Sequence, residues 1–103
     1  MYQYTTPTIR CRLVTKVDLN TLAALWITIE DSAGSLTNFT LADVTIDDDE
    51  KLVMVELTQP QTGALALGDA LLQVRFLTSD GKAVSSKKAK FVIDENLKSG
   101  VIS

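Results

Sequence analysis

Apolar residues recur at every second position in run after run of this 103-residue chain, and that spacing is the strongest restriction on its fold. A period of two sends successive side chains to opposite faces of an extended strand, so an alternating run reads as a strand with one dry face and one wet face. In Thr8–Val14 the apolar set is Ile9, Cys11 and Leu13, with Arg10 and Arg12 between them. Pro7 stands just ahead, where a strand tolerates proline. In Ala24–Glu30, Leu25, Ile27 and Ile29 share one face, and Trp26, Thr28 and Glu30 the other. Leu22–Leu25 could pass for helix by propensity, but the β-branched and aromatic residues that follow decide for strand.

The remaining strands are spaced by turn signals. Lys16–Asn20 reads as a connection, and Asp31-Ser32-Ala33-Gly34 as a turn into a strand over Ser35–Leu41. A short piece at Val44–Ile46 leads to the acidic turn Asp47–Glu50. Leu52–Leu57 follows, so uniformly apolar that it predicts a central strand covered on both sides at one end. Thr58-Gln59-Pro60-Gln61 matches a capping box with proline in the first turn, and predicts a short helical turn limited by Gly63. Beyond Gly68-Asp69, a long strand spans Ala70–Thr78 with Leu72, Val74 and Phe76 on one face. Asp80-Gly81 then turns it into a returning strand over Ala83–Ile93, with Ala89, Phe91 and Ile93 inward. The last residues, Asp94–Ser103, allow either a short helix ended at Gly100 or an extended arm.

Short strands, regular turns and no long helix predict an all-β fold, an immunoglobulin-like antiparallel β-sandwich of about seven strands. The competitor is a partly open barrel. One domain over residues 1–103 accounts for the length, with an N-terminal arm at 1–7 and a C-terminal tail at 95–103. Trp26 is expected to fill part of the core from the second face of its strand. The alternative is an exposed ring that stacks on a sugar or anchors a partner.

Composition removes much chemistry. The chain has no histidine and one cysteine, so imidazole bases, histidine-containing zinc sites, Cys–His dyads and intramolecular disulfides are excluded. Cys11, between Ile9 and Leu13, reads as a buried, inert thiol. The run Asp47-Asp48-Asp49-Glu50 offers oxygens to calcium but lacks the spacing and the glycine of a proper loop, so it reads as a charged turn. Glu30, Glu56 and Asp69 are the acids away from obvious turns, and they read as solvated strand residues rather than a catalytic pair. No enzyme activity, cofactor or metal is expected.

Thirteen acids against ten bases leave a net charge of −3, which argues against nucleic acid as a partner. No segment approaches the ~20 apolar residues that span a bilayer. The N-terminus shows no secretory leader, so folding in a cytoplasm is expected. The charges are segregated: Asp43 and Asp47–Glu50 in one stretch, Lys82, Lys87, Lys88 and Lys90 in another. Two solvated regions explain this. Electrostatic complementarity between neighbouring copies is the sharper alternative.

A resemblance carries the functional reading further. Thr6-Pro7-Thr8-Ile9, Ala24-Leu25-Trp26-Ile27-Thr28-Ile29, Val55-Glu56-Leu57-Thr58-Gln59, Leu72–Ala83 and Leu97-Lys98-Ser99-Gly100-Val101-Ile102 occur here in sequence. Together they resemble a family of small prophage proteins of Gram-positive bacteria, similar to the N-terminal β-sandwich domain of siphophage upper baseplate proteins. Family members often carry an acid after the threonine–glutamine pair, where this chain has Pro60 and Gln61. No catalytic or ligand-binding residue transfers with the likeness. It implies a non-enzymatic virion protein of the tail or baseplate, assembled in the host cytoplasm. Its partners would be other phage structural proteins or copies of itself, with no membrane involved. Tyr2 and Tyr4 in the arm, and Leu97, Val101 and Ile102 in the tail, are the expected partner contacts. A carbohydrate- or host-surface-binding module using Trp26 is the rival.

Overall fold

Alternation becomes burial in the computed structural model, which describes residues 1–102. Two antiparallel sheets face each other. The smaller holds β1 (Thr8–Arg12), β5 (Leu52–Glu56) and β4 (Thr45–Asp47), in the order β1-β5-β4. The larger places β3 (Leu36–Thr40), β2 (Ala24–Glu30) and β6 (Gly68–Leu77) side by side. On the outer edge of β6 lie β7 (Ala83–Ser85) and β8 (Ala89–Ile93). The fold is thus the all-β sandwich that the alternation predicts.

The core sits between the layers. Leu25, Ile27 and Ile29 of β2 are fully buried, facing Phe76, Val74 and Leu72 across the β2–β6 ladder. Val53 and Val55 close the core from β5, and Phe39 from β3. Burying each such side chain contributes about 1.5–3 kcal/mol. Leu52 and Met54, on the outward face of β5, are only half covered, so β5 is central in its sheet but covered well on one side alone.

Connections cross between the sheets along most of the perimeter. A 3-10 turn at Leu19–Thr21 follows β1 and drops Leu19 fully into the core. A second, Leu41–Asp43, carries β3 over to β4, and the Thr40 N–H donates to the Asp43 carboxylate at 2.8 Å. The helical turn α1 (Gln59–Gly63) forms as its capping box predicts: Thr58 N–H donates to Gln61 Oε1 at 2.8 Å, and Gln61 N–H to Thr58 Oγ1 at 3.3 Å.

Two further expectations need correction. The returning strand is not continuous over Ala83–Ile93. Its pairing with β6 steps by one residue between Phe76–Val84 and Leu72–Ala89, so Ser86, Lys87 and Lys88 stand opposite Gln73 and Val74. This β-bulge is held by Ser86, whose hydroxyl accepts from Val74 N–H at 3.0 Å while its own N–H donates to Val74 O at 2.8 Å. Trp26 is not in the core. It is 48% exposed, because Leu25, Ile27 and Ile29 take the inner face and no second layer among the described residues covers Trp26 on the outer one. The tail contains no helix up to residue 102; it is irregular, with bends at Leu97, Lys98 and Gly100, the last at φ +93°.

One buried carboxylate pins the β2–β3 turn to the chain beyond α1. Asp31 accepts from Ala33 N–H and Ser35 N–H through Oδ1 and from Ala66 N–H through Oδ2, each at 3.0 Å. These donors, Ala66 foremost, hold its carboxyl below the ordinary value. Replacing Asp31 with alanine strands three amides, and the expected loss is about 2–3 kcal/mol in urea unfolding. Because the folded-state pKa is depressed, this contribution is complete above the unfolded value of about 3.9 and is lost as pH falls through the lower folded value. Wild type should therefore destabilise more steeply than Asp31→Asn as pH drops below about 4.

Candidate functional site

The perimeter of the sandwich has an opening. Between β1 on the smaller sheet and β7–β8 on the larger runs a cleft of about 660 Å³. Ile9, Cys11 and Leu13 line one wall, Leu72, Val74 and Phe76 the floor, and Val84, Ala89 and Phe91 the other wall. Alternation explains the lining: these are the inward positions of four strands, at the margin where the layers no longer close on each other. Arg10, Arg12, Lys87 and Lys90 stand around it. Arg12 reaches Glu50 at 3.4 Å and Lys90 reaches Asp69 at 3.1 Å; both are exposed surface pairs of little energetic weight. The site is apolar within and basic at the rim, and it borders two strand edges. β1 pairs with β5 alone, and β7 and β8 pair with β6.

The N-terminal arm occupies one end of this margin. The Met1 ammonium donates to Val92 O at 2.7 Å, Asp94 N–H to Met1 O at 2.7 Å, and Gln3 N–H to Asp94 O at 3.0 Å, so the arm continues the larger sheet just beyond β8. Thr5 and Thr62 then exchange hydrogen bonds: Thr5 N–H donates to Thr62 Oγ1, and that hydroxyl donates to Thr5 O, both at 2.9 Å. Tyr4 turns the corner with φ 54°, a left-handed conformation that costs a non-glycine residue about 1–2 kcal/mol. Its ring lies against Gly63, where an added Cβ would sit 2.2 Å from Cε1.

The expected contact residues therefore divide. Tyr4 is engaged within its own chain, and Tyr2 is 54% exposed. Leu97, Val101 and Ile102 are exposed, with the Ile102 backbone tied to the Gln59 side chain at 2.7 and 3.0 Å. The arm and the tail thus both anchor near α1.

Other candidates do not converge. The thiol of Cys11 is pushed above its ordinary value by burial, which keeps it in the unreactive protonated form. In the acidic turn, the Asp48 carboxylate is engaged by Lys51 Nζ at 2.6 Å and Leu19 N–H at 2.8 Å, which together hold its pKa below the ordinary range. That turn is a structural clasp. Glu30 and Glu56 belong to different sheets and point outward, on opposite sides of the sandwich, so no carboxylate pair forms between them. No group of three metal-ligating side chains occurs among the described residues. On the outer face of the larger sheet, Trp26 stands between Thr40 and Arg75 on neighbouring strands.

No family model matches this chain, and no curated protein matches it. Among solved structures it is similar to CopC from Methylosinus trichosporium OB3b, with a TM-score of 0.55 and 24% identity. The match covers 96% of this chain and 87% of that one. At that identity the likeness speaks for the sandwich fold alone.

Two measurements check this geometry. Gly63→Ala must expel the Tyr4 ring, so faster hydrogen exchange at the Gln3 and Asp94 amides is expected, with a loss of about 1–3 kcal/mol. The emission of Trp26 should be red-shifted and readily quenched by acrylamide; a blue-shifted, protected emission would contradict its exposure.

Proposed function

We propose that this protein is a non-enzymatic structural module of a phage or prophage virion, associated with tail or baseplate, which works by docking onto other virion proteins. The observation that carries the reading is the open margin of the sandwich: an apolar cleft beside the outer edges of β1 and β7, which pair with no further strand among the described residues, ringed by basic side chains. Unpaired N–H and C=O groups along an edge are a template for another strand, and an apolar lining supplies the burial that makes such pairing favourable. The resemblance to small prophage proteins similar to siphophage upper baseplate domains supports the setting, including assembly in the host cytoplasm.

A second reading rests on a separate observation. Trp26 is solvent-exposed beside Arg75, on a sheet face that also carries Thr28, Asn38 and Gln73, a combination suited to stacking on a sugar ring and hydrogen-bonding its hydroxyls.

Purified protein tested against the structural proteins encoded beside its gene distinguishes the two. The assembly reading expects a stoichiometric complex that survives Trp26→Ala and is weakened at least about tenfold, or about 1.4 kcal/mol, by Val84→Glu in the cleft wall. Glycan-induced changes in Trp26 fluorescence, with no complex formed, would overturn it in favour of the sugar-binding module.

A further inference from the structure

The smaller sheet is electrically polarised across its width. On its outward face, the register sets Arg12 beside Leu52 and Leu52 beside Asp47; in the next row Arg10, Met54 and Thr45 follow the same order. One margin is basic. The opposite margin carries Asp43 before β4 and Asp47 within it, while Glu50 in the β4–β5 turn reaches Arg12 at 3.4 Å.

Both margins also offer backbone. Leu13 N–H donates to Lys51 O and Leu57 N–H to Pro7 O, so the odd-numbered residues of β1 face β5 and the amides of Thr8, Arg10 and Arg12 face outward. Because the odd-numbered residues of β5 face β1, its even-numbered residues face β4, so Thr45 and Asp47, opposite Met54 and Leu52, direct their backbone to β5 and Ile46 directs its own away. β4, like β1, pairs with β5 alone.

We infer that the acidic β4 edge of one copy docks against the basic β1 edge of another, a head-to-tail contact that extends the three-stranded sheet and closes the open cleft. The inference names a partner for the assembly reading and rests on it. A strand added to β1 lies about 4.8 Å beyond it, over the mouth of the cleft that β1 borders. Symmetric alternatives are disfavoured by the same charges. Pairing β1 with β1 would oppose Arg10 and Arg12 of both copies, and pairing β4 with β4 would oppose their acids. Only the unlike pairing joins opposite charges, and because it uses two different surfaces it propagates into a ring or an open row.

Sedimentation velocity on the full chain tests this through charge reversal and its repair. Wild type is expected to associate in a concentration-dependent way at about 0.01 M salt and to be at least about tenfold weaker at about 1 M, where the screening length falls from roughly 30 Å to 3 Å. Arg10→Glu with Arg12→Glu, and separately Thr45→Lys with Asp47→Lys, should each leave folded monomers by circular dichroism. Mixed together, the two variants should associate, since each supplies the edge the other lacks. A wild type that stays monomeric at about millimolar concentration in low salt would overturn the inference. So would variants that associate as wild type does, or folded variants whose mixture stays monomeric. If wild type is monomeric yet still forms its complex with a neighbouring virion protein, self-docking fails while the assembly reading stands.

Discussion

The antiparallel register of β2 against β6 is the constraint from which the rest of the molecule follows. It pairs Leu25 with Phe76, Ile27 with Val74 and Ile29 with Leu72, all on one face. These are the longest two strands of the larger sheet, and their ladder fixes which of its faces is dry. A slip of one residue would turn Trp26, Thr28 and Glu30 into the core and the three aliphatic residues into water. With this face set, the smaller sheet has one place to lie, and β5 delivers Val53 and Val55 onto it. Asp31, the 3-10 turns and α1 serve the crossings that hold the layers together.

Side-chain period made the strands legible. β2 has the bounds that its alternation predicts, and the capping box at Thr58 and the Asp80-Gly81 hairpin form as their residues imply. What sequence could not supply was partnership between strands. Trp26 reads as a core residue because tryptophan is usually well buried, yet burial depends on whether a second layer covers that face, and among the described residues none does. The bulge at Ser86 was hidden for a similar reason. A serine hydroxyl standing in for a ladder acceptor leaves no mark on hydrophobic periodicity; Ser85-Ser86 before Lys87-Lys88 is the signal there.

The open cleft is the least legible feature. It arises from residues far apart in the chain, with Ile9 and Cys11 from the first strand meeting Val84 and Phe91 from the last. Its basic rim could be foreseen only as a cluster of lysines, because Arg10 and Arg12 join that cluster through topology alone. Nor did the sequence reveal that Tyr4 would be spent on Gly63 inside its own molecule. Both surprises lie where the two layers part, the region in which short-range pattern carries least information and the route of the chain carries most.

The extra residue in the hairpin has a protective side. Three residues facing two kink the border of the larger sheet and keep β7 and β8 as two short, differently angled pieces. Deleting one of them would let the hairpin zip into a single straight ribbon, still inward at Phe91 and Ile93 but with a long uninterrupted selvedge. Chains adhere indiscriminately along borders of that kind. The spare residue at Ser86–Lys88 thus blunts one side of the barrel-less sandwich, leaving selective contact to strands whose charges can choose a mate.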